Sequence, residues 1–451
     1  VRELLLLLAC LPAAATADLT ALDRYVRAAD PTYKYELTAA YEQSGVKTYV
    51  LDMTSQTWLT PEEVDSAEWR HWLVVTVPEK VDHSTALLFI DGGSNTSRAP
   101  AAPDPTLGVL AAASHAVVAQ LRMVPNQPLR FAGDNVSRTE DAIIAFTWDK
   151  FLRTGDERWP ARLPMTKAAV RAMDTVTDFC ASERAGKLKV SRFVVSGASK
   201  RGWTTWTTAA VDRRVVAIMP IVIDVLNVEK SFVHHWRAYG AWSPAVQDYV
   251  DANVMQWIGT PEFANLMAIE DPYQYRDRLT IPKYLLNASG DEFFLPDSSQ
   301  FYFQDLPGEK YLRYVPNVSH SMDDPAVASN LLAYFLSFLN CTPRPRFSWT
   351  ADRASGSIRI RTLDQPASVK LWQATNPKAR DFRLAVIGKA WTATPLEGED
   401  GVYVASVPKP VAGFSAFFAE LTFDSGFAVP WVFTTEVVVT PDEYPFPPPA
   451  K

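Results

Sequence analysis

The apolar run Phe193-Val194-Val195 breaks without a spacer into Ser196-Gly197-Ala198-Ser199-Lys200-Arg201-Gly202, and a helical pattern follows at once. A strand that becomes a helix within so few residues forces one residue into a strained backbone, and only small neighbours let the two chain directions pass. Gly197 and Gly202 supply that room, and Ser199 stands at the turn. A serine placed there projects its hydroxyl from the carboxyl edge of a sheet, the position of a nucleophile. The usual spacing is G-x-S-x-G; here Arg201 takes the last position and the glycine comes one residue later. Gly-Ser pairs also cap ordinary helices, so the surrounding pattern has to decide.

That pattern alternates. Apolar or alternating runs at 35–38, 47–53, 72–77, 86–90, 116–121, 215–223, 283–287 and 311–315 read as strands. Helical periodicity appears at 140–152, 166–179 and 326–339. Strands alternating with helices predict βαβ units and a mostly parallel central sheet. Between the strands ending at Ile223 and beginning after Pro282 lie about sixty residues rich in aromatics (Phe232, Trp236, Tyr239, Trp242, Tyr249, Trp257). That is far longer than an ordinary crossover, and it predicts a cap inserted over about 226–280. After Cys341-Thr342-Pro343-Arg344-Pro345 the texture changes to short strands at 357–361, 368–372, 382–386, 402–406, 414–423 and 429–439. These predict a small all-β sandwich over 346–445, joined by a Pro-rich linker to a catalytic-type domain over 18–342.

Chain order sharpens the assignment. A nucleophile elbow in an α/β-hydrolase fold needs an acid and then a histidine after it in sequence. His320 alone among the histidines lies beyond the last strand of the series, in the polar loop Pro316-Asn317-Val318-Ser319-His320-Ser321. The acid is expected at Asp291, in Ser289-Gly290-Asp291-Glu292 at the end of the preceding strand. Glu292 and Asp297 are its near alternatives, and Asp224 is another position the fold allows. An oxyanion hole would draw one N–H from Lys200 and another from the Gly92-Gly93-Ser94-Asn95 loop, with Gly93, Ser94 and Asn95 as candidates. Arg201 and, from the cap, His234, Trp236 and Trp242 are candidate substrate contacts. Trp203 and Trp206, three apart on the elbow helix, read as core. His234-His235 lacks a third ligand at helical spacing, so no metal is expected, and nothing implies a cofactor.

Charge and cysteine content narrow the partners. A net charge of −7 without a basic, aromatic-interleaved stripe argues against nucleic acid. The Leu-rich run after Val1-Arg2-Glu3, followed by Ala15-Thr16-Ala17, has the form of a cleavable export signal over 1–17, with an apolar stretch too short for a stable membrane span. A secreted or periplasmic chain is therefore expected. In an oxidising compartment Cys180 and Cys341 are free to pair.

Ser196-Gly197-Ala198-Ser199-Lys200-Arg201-Gly202-Trp203-Thr204-Thr205-Trp206 resembles the signature of the PhoPQ-activated pathogenicity-related proteins. Thr147-Trp148-Asp149-Lys150, Met165-Thr166-Lys167-Ala168, Gly290-Asp291-Glu292-Phe293-Phe294-Leu295-Pro296-Asp297 and Asn317-Val318-Ser319-His320-Ser321 are similar to other blocks of that family. The resemblance implies an exported α/β-hydrolase-like protein with Ser199, Asp291 and His320 as candidate site residues. The elbow is also similar to that of glucuronoyl esterases, where a basic residue follows the serine; Lys200 matches it in charge though not as Arg. Lys200 and Arg201 would then either stabilise an oxyanion or favour an acidic substrate, or else pair with buried carboxylates beneath the elbow. The expected function is a serine hydrolase acting on a small-molecule, carbohydrate or peptide ester, an acidic or sugar-acid ester among them. The alternative is a secreted binding or signalling protein that keeps the fold without turnover, associated with pathogenicity or envelope stress.

Overall fold

The computed structural model describes residues 19–102 and 104–449. Strands β1 (Lys34–Gln43), β2 (Val46–Thr57) and β3 (Glu68–Pro78) form an antiparallel meander. β4 (Thr85–Ile90) and β5 (Val118–Leu121) follow, then a small ribbon of β6 (Leu129–Arg130) and β7 (Ser137–Arg138). β8 (Arg192–Ala198), β9 (Val215–Ile221), β10 (Lys283–Ala288) and β11 (Lys310–Val315) complete the central sheet. Its parallel run is β5-β4-β8-β9-β10-β11. The helices are α1 (Ala21–Arg27), α2 (Pro105–Ser114), α3 (Glu140–Thr154), α4 (Arg162–Ala181), α5 (Lys200–Val211), α6 (Val228–Tyr239), α7 (Gln247–Asp251), α8 (Pro261–Glu270), α9 (Ala326–Leu339) and the short α10 (Leu384–Ile387). A mostly parallel sheet with its helices and an inserted cap is the α/β-hydrolase arrangement.

The parallel strands read as unbroken apolar runs because both faces are covered. On β4, Ala86, Leu88 and Ile90 enter a core shared with α4 and α5, while Leu87 enters the opposite core beneath α2 and α9. Trp203 and Trp206 of α5 are buried in the first of these. The cap contributes to the same core: Phe232, Tyr249 and Phe263 are buried there, and the Tyr249 ring meets Trp148 edge-on. These aromatics hold the cap down instead of roofing an open pocket.

The C-terminal strands are β12 (Phe347–Asp352), β13 (Ser357–Thr362), β14 (Ser368–Asn376), β15 (Thr392–Pro395), β16 (Gly398–Glu399), β17 (Val402–Ser406), β18 (Phe414–Phe423), β19 (Trp431–Thr434) and β20 (Val438–Thr440). They form two layers. One is the four-stranded sheet β12-β13-β17-β16; the other, β19-β18-β14-β15 with β20, continues the central sheet past β11. Ile358, Ile360 and Ala405 of the first layer share a core with Phe417, Leu421 and Phe433 of the second. The sheet thus runs through the place where the Pro-rich segment suggested a boundary. Leu312 pairs with Thr434 across the junction, Tyr314 N–H donates to Thr434 Oγ1 at 3.0 Å, and Arg313 meets Glu420 at 2.6 Å with both side chains buried.

Two expectations change, and a third lies beyond the described residues. The run at 382–386 is not a strand: Asp381 accepts the Arg383 N–H at 3.1 Å and the chain turns into α10. Cys180 and Cys341 are unpaired, one buried and one exposed; burial pushes the Cys180 thiol up to about 12, which makes it inert. The export segment at 1–17 lies outside the described residues, and among those described no helix is long and apolar enough to cross a membrane.

The Arg313–Glu420 pair sits where removing one charge strands the other. Glu420→Ala is expected to destabilise the fold by about 3–5 kcal/mol. Arg313→Met combined with Glu420→Leu should cost much less, as read by chemical denaturation.

Candidate active site

The parallel strands end together. Ile90 pairs with Gly197, Ala198 with Ile221, Ile221 shares its level with Leu286, and Ala288 pairs with Val315. The loops after β4, β8, β10 and β11 therefore emerge at one sheet edge, where this architecture places its ligands.

Ser199 adopts φ 57°, ψ −125°, the left-handed strain expected of an elbow, and its N–H donates to Ile221 O at 2.8 Å. A Cβ at Gly197 would lie 2.8 Å from Arg201 O, and one at Gly202 would lie 2.9 Å from Ile221 O. The closing glycine can therefore come one residue late: Gly202 is the residue that passes against the sheet, and Arg201 is free to carry a side chain. The first N–H groups of α5, Lys200 included, have no acceptor within the helix and point its positive end towards the turn.

After β10, Asp291 is buried, and its Oδ1 accepts the N–H of Phe293 at 2.8 Å. Its Oδ2 meets His320 Nδ1 at 2.8 Å. Glu292 accepts the backbone N–H of His320 at 3.0 Å. The rings of Phe293 and Phe294 pack on the imidazole with centroids 4.4 and 5.8 Å away. Burial pulls His320 down, but the Asp291 carboxylate, with Glu292 behind it, outweighs this and holds it above the ordinary histidine value. Nε2 of His320 is buried with no hydrogen-bond partner among the described residues. Catalytic hydrogen bonds of this kind often tighten only around substrate. The other acids are occupied. Asp224 accepts from Tyr302 and Tyr314 at 2.6 Å each, and burial pushes it up to about 8. Asp297 binds His234 and Arg380.

Lys200 and Arg201 are ion-paired beside the elbow. Lys200 Nζ lies 2.7 Å from Glu140 and 3.0 Å from Asp141, and Arg201 meets both Glu140 oxygens at 2.6 and 2.8 Å. Burial would raise Glu140, but its hydrogen bonds with Arg201 and the charges of both cations hold it at about 2. Glu140 also has a left-handed φ of 50°. From it the network reaches the Gly-rich loop: Gln127 Nε2 donates to Glu140 at 2.6 Å and to Gly93 O at 2.9 Å. A Cβ at Gly92 would sit 2.8 Å from the Arg201 guanidinium. Arg201 is thus a strut between elbow and loop, the carboxylate pairing that stood as the alternative to a substrate contact. Within the loop, the Ser94 N–H is spent on Ser97 Oγ and the Asn95 N–H on Gln127 O. Of the three loop candidates, Gly93 alone has an N–H without a partner among the described residues.

His234 is corrected. It is buried, with Nε2 on Asp297 at 2.8 Å and Nδ1 on the Tyr444 hydroxyl at 2.7 Å. Trp236 and Trp242 remain partly exposed and pack together with centroids 5.2 Å apart. Sequence reading missed how the C-terminal region pins the two loops. Leu384 N–H donates to Gly290 O at 2.9 Å, and Asn317 exchanges two hydrogen bonds with the Trp391 backbone at 2.9 and 3.0 Å. Nothing local signals such pairings. Glu140-Asp141 carried a clue, an acidic pair opening a helix and a fitting partner for Lys200-Arg201.

The family model described as PhoPQ-activated pathogenicity-related protein matches residues 22–383. Autocrine proliferation repressor protein A of Dictyostelium discoideum is 38% identical over 478 residues, covering 98% of this chain and 94% of that protein. Among solved structures, acetyl xylan esterases of Paenibacillus sp. R4 and of a Thermoanaerobacterium species align at 14% identity, with TM-scores of 0.49 and 0.48, each over 70% of this chain and 92% of theirs. On the family match and the full-length relative, the chain belongs to the PhoPQ-activated pathogenicity-related protein family.

Proposed function

We propose that this chain is an exported serine hydrolase acting on carboxylic esters. The observation that carries the reading is the Asp291–His320 contact of 2.8 Å, which leaves a buried, unspent Nε2 at the sheet edge where the strained Ser199 stands. Ser199 Oγ adds to the ester carbonyl as His320 Nε2 takes its proton. Asp291 holds the Nδ1–H tautomer and stabilises the imidazolium. The N–H groups of Lys200 and Gly93 receive the developing oxyanion. His320 then returns the proton to the leaving alcohol, and water resolves the acyl-enzyme by the same steps. With Lys200 and Arg201 neutralised by Glu140 and Asp141, an acidic substrate has no cation to meet on this side, and a neutral ester fits better. Export rests on the signal-like segment 1–17.

The second reading is a signalling protein without turnover, favoured by the name of the Dictyostelium relative, a proliferation repressor. A fluorophosphonate probe separates the two. Wild type is expected to label at Ser199, with labelling abolished in Ser199→Ala and reduced by about 10⁴-fold in His320→Ala. Folded wild type inert to the probe and to a broad ester panel would favour the second reading.

Because turnover needs neutral His320 and its value is raised, kcat/KM should rise with pH through a midpoint above about 6.5. Asp291→Asn removes the anion that raises it. That variant should shift the midpoint to lower pH and lower the rate by about 10⁴-fold.

Glu140→Ala should release both donors of the oxyanion hole, cutting kcat by about 10²-fold with little change in KM. Steady-state kinetics on any ester found to turn over would check this.

A further inference from the structure

A cleft of about 410 Å³ opens beside the candidate site between α2 and α9. Its walls come from three elements: Phe89 just before the Gly-rich loop, Ala198 just before Ser199, and Ser321 and Met322 just after His320. Its floor is the sheet face formed by Leu87, Met219 and Ile221, and its sides are Leu107, Leu110, Leu331 and Phe335. Its size suits a small organic ligand, for which pockets run to about 300–1,000 Å³.

Most of the polar groups along this wall are already engaged, the exposed Thr106 hydroxyl apart. Ser196 Oγ donates to Met219 O at 2.6 Å, and Gln120 Nε2 donates to Asp91 at 2.7 Å. Asp104 accepts the Thr106 N–H opening α2, and Asp324 accepts the Ala326 N–H opening α9. Ser321 Oγ donates to Asp323 at 2.7 Å. A sugar or an anion would lose its water here for few replacement hydrogen bonds, whereas a hydrocarbon chain would lose nothing.

We infer that this cleft holds the hydrocarbon chain of the ester's acyl group, so that the substrate class is a neutral ester of a medium-chain carboxylic acid. The inference rests on the serine-hydrolase reading above. An acyl carbon bound to Ser199 begins one residue from Ala198, and the chain then runs away from the Gly-rich loop between the two helices. Trp236 and Trp242, on the cap, are left to meet the alcohol portion.

The test is a series of p-nitrophenyl esters from acetate to decanoate, assayed on wild type, Ala328→Trp and Leu331→Trp. Ala328 is an exposed position on the cleft lining, so its replacement should leave the fold intact. Wild-type kcat/KM is expected to rise about fourfold per added methylene until the cleft is full. Ala328→Trp should erase that rise. A flat series with acetate still cleaved would overturn the inference and leave the hydrolase reading standing. If no ester turns over and the fluorophosphonate fails, calorimetry with the neutral ester methyl decanoate on Ser199→Ala decides. One-to-one binding lost in Ser199→Ala combined with Ala328→Trp would support an apolar site here, and no binding would overturn it.

Discussion

Two adjacent cations at the start of a buried helix face an unfavourable field, because the helix dipole already places positive charge there. Lys200 and Arg201 occupy that position beside Ser199, and the fold answers with Glu140 and Asp141. Much of the site follows from that pairing. Glu140 takes a strained backbone to present its carboxylate, Gln127 reads its position, and Gly92 stays bare because the guanidinium passes beneath it. The elbow and the loop after β4 are therefore one mechanical unit, although about a hundred residues separate them in sequence.

The second unit is built from the far end of the chain. The acid and histidine loops follow β10 and β11, yet they are fastened by Leu384 and Trp391. Asp297, at the end of the acid loop, is gripped by Arg380 and by His234, whose other nitrogen meets Tyr444. Charge pairing with Arg380 and His234 overcomes burial and holds Asp297 well below the usual carboxylate range. The C-terminal strands are thus a scaffold for the loops, reached through a sheet that does not stop at β11.

Local pattern carried most of the architecture. The helix at 326–339 and the strands at 402–406 and 414–423 have the bounds their periodicity predicts, because apolar spacing there is uninterrupted. The apolar stretch that forms α2 lacks a polar face to mark its period, and β15 is exposed along its length, so neither could be read. Ser199, Asp291 and His320 were legible as candidates through chain order, which the fold imposes. Gln127 and Trp391 were not, because their partners lie far away in sequence and their residue types are ordinary, and Glu140 left only the clue of an acidic pair opening a helix. The same distance hid the partners of His234, which looked available for substrate until Asp297 and Tyr444 came into view.

The reach of the Tyr444–His234 contact bears on when such a site can exist during synthesis. It spans 210 positions, and the Thr434 contact that seats β19 on β11 spans 120. Tyr444 and Thr434 emerge from the ribosome long after His234 and Tyr314, and long-range closures of this kind form late. The elbow can assemble early, whereas the loops bearing Asp291 and His320 wait for Leu384 and Trp391, and the brace from Tyr444 through His234 to Asp297 closes later still. A nascent chain would thus hold the shaped Ser199 turn while the loop bearing His320 still lacks part of its bracing.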